Sequence, residues 1–169
     1  MRKIPVFVSC PTELNPIQER KRKIIFDILD EMLMEPRAIG RSDFPVDYPL
    51  KEVYVIAKHC SGGVILGFEQ VFIESGIKKR GIADREAIIK DISIPTPWNN
   101  LEAGILFGLK VPLLIFKEER IEGGVFDYGI TDVFVHSMPS EVPGKSKIME
   151  MRQVIQTWYG LVSRKYYDY

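Results

Sequence analysis

Short apolar runs alternate with amphipathic segments along most of the 169-residue chain. The runs at residues 4–9, 63–68 and 111–116 are rich in β-branched and other apolar residues, which predicts buried strands of a parallel sheet. Between them, apolar residues recur three or four positions apart and predict helices. This alternation predicts an α/β fold with a mainly parallel sheet. The predicted helices cover residues 16–34, 49–59, 96–108 and 146–165, and shorter strands are expected at 36–39 and 132–135.

Residues 69–95 interrupt this alternation. Residues 71–73 favour an edge strand, residues 78–81 an exposed turn, and residues 87–89 fit a strand or a helix equally well. The sequence therefore predicts one domain over residues 1–169 with an irregular insertion at about 69–95.

Composition narrows the class of protein. The chain is 46% hydrophobic and 27% charged, its formal net charge is zero and its pI is about 6.7, so it lacks the basic excess of a nucleic-acid-binding domain. Two cysteines without a CxxC pair suggest a reduced, cytoplasmic protein, and His59 and His136 have no partner at metal-ligand spacing. The apolar runs fall short of the roughly 18 residues of a membrane span, and residues 1–10 favour a strand over a signal peptide. We therefore expect no metal, membrane or nucleic-acid partner.

Glu102 carries the one formal charge between Asp91 and Lys110. A carboxylate in such an apolar stretch costs several kcal/mol if it is desolvated without a partner. It therefore indicates either a local hydrogen-bond network or a cleft in which the group does chemistry.

The spacing around Glu102 suggests the wall of a pocket. Thr96 fits a helix N-cap with Pro97 at the first helical position, and Trp98 and Asn99 lie four and three residues before Glu102, on one helix face. In a parallel sheet the loops after residues 9, 39 and 68 converge with this helix start at one edge, where ligands bind. The alternative is structural: Asn99 and Glu102 cap free amides while Trp98 packs.

A family resemblance appears in the same stretch. Trp98-Asn99-Asn100-Leu101-Glu102 matches the WxxxE pattern of Toll/interleukin-1 receptor (TIR) domains that cleave NAD. Leu101-Glu102-Ala103-Gly104, followed by Gly108-Leu109-Lys110-Val111-Pro112, also resembles the E-x-G…GKPV stretch of nucleoside 2-deoxyribosyltransferases. The resemblance to the two families covers roughly residues 4–117. It implies a flavodoxin-like three-layer sandwich with a catalytic glutamate, Glu102, on the helix before a late central strand.

The resemblance also implies chemistry at an N-glycosidic bond of a nucleotide. The leading expectation is hydrolysis or cyclisation of NAD, with NAD as a substrate rather than a cofactor. Nucleoside deoxyribosyl transfer or nucleotide N-glycosidase activity is the first alternative, and a non-catalytic nucleotide-binding or assembly module is the second. The deoxyribosyltransferase loop D-G-x-x-x-D is missing here, because the corresponding residues read Gly67-Phe68-Glu69-Gln70.

Further residues are candidates for binding the substrate. Trp98 can stack on a ring, Asn99 or Asn100 can bond ribose hydroxyls, and Gly67 and Phe68 fall in the substrate loop. In the loop after the second strand, Arg41 can pair with a diphosphate and Asp43 or Tyr48 can orient a sugar, although a simple turn with a solvated Arg41 fits as well. Ser9 can contact phosphate or form a turn.

The C-terminal helix ends in Tyr166, Tyr167 and Tyr169, more tyrosines than a small domain needs to bury. Because tyrosine is enriched at interfaces, we expect a homo-oligomer through this helix. A monomeric mass by light scattering at high protein concentration would contradict this expectation.

Overall fold

The computed structural model describes residues 3–40 and 47–168. Seven strands and four α-helices follow one another along these residues, with a short 3-10 turn at Gly124–Phe126 before the last strand. The strands are β1 (Ile4–Ser9), β2 (Met34–Arg37), β3 (Gly62–Gly67), β4 (Val71–Lys78), β5 (Ala87–Ile94), β6 (Leu113–Lys117) and β7 (Val135–Ser137). The helices are α1 (Pro16–Glu31), α2 (Pro49–Lys58), α3 (Pro97–Gly108) and α4 (Lys145–Tyr167).

Five strands form one parallel sheet in the order β2-β1-β3-β6-β7. The order reverses between β1 and β3, as in flavodoxin-like folds, where ligands bind beside the carboxyl ends of these two strands. The predicted α/β class, a flavodoxin-like three-layer sandwich with a parallel sheet, is confirmed.

Successive residues of each central strand face opposite sides of the sheet and build two separate cores. On one side, Val6, Val8 and Val64 pack with α1 and α4. On the other side, Phe7 and Ile65 pack with α2 and α3. Because helices cover both faces, the central strands carry the continuous apolar runs of the sequence.

The predicted element boundaries shift by a few residues. Helix α1 ends at Glu31 rather than at 34, because Leu33 adopts a positive φ of 58° that turns the chain into β2. The last strand lies at Val135–Ser137 rather than at 132–135, and Phe134 is exposed. The apolar residues near position 133 predicted that a strand is present, but not which residues form it.

The segment predicted as an irregular insertion at about 69–95 is regular, although the edge strand predicted at 71–73 lies in β4 and the turn predicted at 78–81 follows it. Strands β4 and β5 form a regular antiparallel hairpin, in register from Val71↔Ile94 to Lys78↔Ala87. It forms a separate two-stranded sheet beside the main one. Its polar, mixed pattern concealed the strands because much of the hairpin is exposed on both faces.

A half-buried carboxylate, Glu118, anchors the hairpin base and α1 to the end of β6. It accepts hydrogen bonds from the Lys21 ammonium (2.8 Å), the Glu69 amide (2.8 Å) and the Gln18 side chain (3.1 Å). Burial alone raises the pKa of Glu118, but these three donors outweigh it and the net pKa is lowered. The carboxylate is thus held in its charged form by a structural network.

Glu118→Ala is expected to lower the free energy of unfolding by about 1–3 kcal/mol, because it leaves partly buried donors without an acceptor. Urea denaturation measures the change. The neighbouring Glu119→Ala serves as the control, since Glu119 is exposed, and it should leave the midpoint unchanged. Equal midpoints for the two variants would contradict the anchoring role.

Candidate functional site

A cavity of about 200 Å³ opens at the carboxyl edge of the sheet, beside the ends of β1 and β3. Residues after β1, β2 and β3 meet there with the beginnings of α2 and α3, as the sequence predicted for ligand-binding loops. The described residues that line it are Cys10, Pro11, Thr12, Ile39, Pro49, Val53, Gln70, Thr96, Trp98 and Glu102.

Glu102 contributes a charged group to this lining, whereas the other nine lining residues are uncharged. Its side chain is nearly buried, with 8% of the residue exposed. Burial raises the pKa of Glu102 to about 7, and a hydrogen bond from Ser9 opposes the rise. A carboxyl group poised near neutral pH inside a cavity is a candidate for catalysis.

Two buried residues hold Glu102 in place. The Asn99 Nδ2 group donates to the Ser9 hydroxyl oxygen at 2.7 Å and approaches the Ser9 carbonyl at 3.4 Å. Because the Ser9 oxygen accepts from Asn99, its own proton is free to point at Glu102, with which it is hydrogen-bonded. The chain Asn99–Ser9–Glu102 therefore joins the end of β1 to α3.

Asn99 lies behind the cavity wall and not on its surface. The residue is 0% exposed, and its Oδ1 atom has no hydrogen-bond partner among the described residues. The predicted contact of Asn99 with ribose hydroxyls is therefore replaced by a role through Ser9. Ser9 itself is 1% exposed and bonds Glu102 instead of presenting its hydroxyl to phosphate.

Helix α3 begins as the sequence predicted. The Thr96 side chain accepts from the Trp98 amide at 3.4 Å, and Pro97 occupies the first turn. One helical turn separates Trp98 from Glu102, so both reach the cavity, while Ala103 and Leu106 pack into the core. Trp98 is 40% exposed, which places its ring at the mouth.

Gly67 and Phe68 do not line the cavity. Phe68 is fully buried within the hydrophobic core between the sheet, α1 and α4. A Cβ atom at Gly67 would lie 2.5 Å from the Phe126 ring, so this glycine makes room for packing. The lining residue from this connection is Gln70, two positions further on.

The remaining predicted residues lie elsewhere. Asn100 turns away toward the 3-10 turn, where its Oδ1 accepts the Val125 amide at 2.9 Å. Tyr48 is 81% exposed and is not among the lining residues. The predictions for Arg41 and Asp43 lie outside the described residues.

Most of the uncharged residues that line the cavity were not predicted from the sequence. Thr12, Ile39, Pro49 and Val53 reach the cavity only because the strand ends and the start of α2 come together. The switch point between β1 and β3 is the signal that could have found them. Residue type alone could not, since such residues occur throughout the chain.

The described residues contain no group of three or more His, Cys, Asp or Glu side chains placed to hold a metal ion. Within the same part of the chain, no helix is both long and apolar enough to cross a membrane.

Comparisons of the sequence and structure with protein-family models, curated proteins and solved structures found no match.

Proposed function

We propose that this protein breaks the N-ribosyl bond of NAD, with Glu102 as the catalytic carboxylate. The observation that carries the proposal is a nearly buried glutamate, held by Ser9, that faces a cavity at the ligand-binding edge of the sheet. The resemblance of residues 98–102 to the WxxxE pattern of NAD-cleaving TIR domains supports it.

The chemistry favours a substrate whose leaving group needs no proton. Among the described lining residues Glu102 is the sole ionisable carboxyl group, so none of the others can act as a separate carboxylic general acid. Glycosidases that expel an alkoxide use two carboxyl groups, one of them to protonate the leaving oxygen. Nicotinamide is already cationic in NAD and departs as a neutral molecule. One carboxylate therefore suffices for NAD, whereas transfer between nucleosides would need another proton donor.

The reaction balances with water alone. The bond between ribose C1′ and the nicotinamide nitrogen breaks, and its electron pair leaves on nicotinamide. The ionised Glu102 stabilises the developing oxocarbenium ion or attacks it. Water then adds at C1′ and releases a proton, which gives ADP-ribose; cyclisation replaces water with a nucleophile of the adenosine part.

The cavity suits part of a dinucleotide. Its volume of about 200 Å³ is below the range of roughly 300–1,000 Å³ typical of sites that enclose a drug-sized ligand. We infer that the nicotinamide ribose enters it, that Trp98 stacks on a ring at the mouth, and that the remaining nucleotide lies outside.

The direct test incubates the purified protein with NAD and follows nicotinamide release by chromatography. Release that requires Glu102 supports the proposal. Base exchange between deoxynucleosides without nicotinamide release would favour deoxyribosyl transfer instead. Calorimetric binding of nucleotides without any turnover would favour the non-catalytic module.

Ser9→Ala is expected to shift the pH profile of nicotinamide release to higher pH. Removing the Ser9 hydroxyl deletes the hydrogen bond that lowers the pKa of Glu102, so the pKa rises further above its ordinary value. Because the ionised form is the active one, the rate near neutral pH falls and recovers in alkaline solution. The measurement is kcat as a function of pH.

The matched control is Ser61→Ala. Ser61 is also buried, but it precedes β3 at the opposite edge of the sheet. This variant should keep the wild-type profile. A Ser9→Ala enzyme that loses activity equally at every pH would show a merely structural role for the hydroxyl.

A further inference from the structure

The hairpin of β4 and β5 is poorly covered by the rest of the described chain. Its cross-strand pair Ile77–Ile88 near the turn is exposed by 54% and 75%, and the pair Val71–Ile94 at the base by 53% and 39%. Among the described residues, its main attachment is at the base, where the Ser93 amide meets the Arg120 carbonyl and Arg120 lies over the Phe72 ring.

Such a hairpin gains little from its own two strands. An isolated two-stranded hairpin is at best marginally stable in water, and it normally needs a third strand or a packed face. Exposed aliphatic pairs at both ends of the ribbon, together with strand edges that no other described strand pairs with beyond Ser93, indicate a surface that a partner covers.

The two ends of the hairpin lie in regions of opposite net charge. The turn, residues 78–86, holds four basic residues against two acidic ones. The loop that touches the base, residues 119–127, holds three acidic residues against one basic residue. The charged residues used below, Lys79, Arg80, Glu119 and Glu122, are all exposed.

We propose that this hairpin pairs with the hairpin of a second copy of the chain, side by side and antiparallel about a two-fold axis. In that arrangement the basic turn of each copy lies against the acidic loop of the other. The aliphatic pair Ile77–Ile88 of each copy then faces Val71–Ile94 of its partner. A parallel arrangement would bring like charges together, so the charge pattern selects the antiparallel one.

The pattern disfavours other occupants. An anionic membrane or a nucleic acid would match the basic turn but would be repelled by the acidic loop. A second copy satisfies both ends at once, because a two-fold interface uses the same surface of each subunit.

Sedimentation velocity of the full chain over a range of concentrations and salt tests the proposal with two charge-reversed proteins. One carries Lys79→Glu with Arg80→Glu, and the other carries Glu119→Lys with Glu122→Lys. The wild type should dimerise more weakly as salt increases. Each reversed protein alone should dimerise with a dissociation constant on the order of tenfold higher, because attraction becomes repulsion.

An equimolar mixture of the two reversed proteins should recover the wild-type affinity, since each then offers the charge that the other lacks. The control for the first reversed protein is Lys58→Glu with Lys110→Glu. It makes the same change in net charge as Lys79→Glu with Arg80→Glu, but at the opposite edge of the sheet, and it should dimerise like the wild type.

A monomeric wild type at every concentration would overturn the proposal, whether or not the protein also binds vesicles of phosphatidylserine or cleaves NAD. A dimer that neither reversal weakens would also overturn it and would place the interface elsewhere, such as on α4. A mixture that stays as weak as its components would exclude the antiparallel pairing. None of these outcomes depends on the proposed enzymatic activity.

Discussion

Glu102→Gln is expected to reduce nicotinamide release from NAD by on the order of a thousandfold or more. Glutamine keeps the size of the side chain and can still accept the hydrogen bond from Ser9. It cannot carry the negative charge that stabilises the ribosyl cation, and it is a far weaker nucleophile. The measurement is kcat/KM with NAD, together with the affinity for NAD by calorimetry.

One control and two contrary outcomes test this prediction. Glu119→Gln removes a charge from an exposed position outside the cavity lining and should leave the rate unchanged. If the Glu102→Gln protein retained wild-type turnover, Glu102 would not be the catalytic group. If the wild type released no nicotinamide even when concentrated into an oligomer, the proposed NAD chemistry would be wrong.

The same substitution is expected to stabilise the fold at neutral and alkaline pH. Burial raises the pKa of Glu102 from 4.5 to about 7. Between these values the folded protein retains a proton that the unfolded chain has released, so wild-type stability falls as pH rises through this window. The loss amounts to about 3 kcal/mol above pH 7, and the neutral glutamine avoids it.

Urea unfolding at several pH values from about 4 to 8 measures this difference. The stabilities of wild type and Glu102→Gln should nearly coincide below pH 4.5 and diverge progressively above it. A constant difference across the range would show that Glu102 has an ordinary pKa. Stabilisation with loss of turnover would indicate that the protein keeps an unfavourable buried charge for its function.

The sequence predicted the parallel sheet because buried strands are apolar on both faces, and this signal survives without tertiary information. It also predicted the start of α3, since Thr96 and Pro97 form a local N-terminal signal. Glu102 stood out because a lone charge in an apolar stretch requires an explanation. The placement of Trp98 and Glu102 in one wall followed from helical spacing alone.

The hairpin at residues 71–94 was predicted only in part, for the opposite reason. Its strands are largely exposed, so they lack the apolar alternation by which a half-buried strand is detected. Asn99 and Asn100 show a related limit. Helical spacing predicts on which face of the helix a side chain lies. It does not predict the hydrogen-bond partner, which for Asn99 comes from β1 and for Asn100 from the 3-10 turn.

The sequence by itself determined the class of the fold, the order of the central elements and the position of the candidate carboxylate, because each depends on local periodicity or on residues adjacent in the chain. Only the tertiary structure decided that Ser9 and Asn99 position Glu102, that Phe68 belongs to the core and that the hairpin stands exposed. These features join residues far apart in the chain, such as Ser9 and Asn99 at a separation of 90 positions, and their burial depends on which elements pack together. The local pattern of apolar and polar residues does not specify which distant elements pack together. The residues that surround Glu102 could therefore be identified only in the tertiary structure.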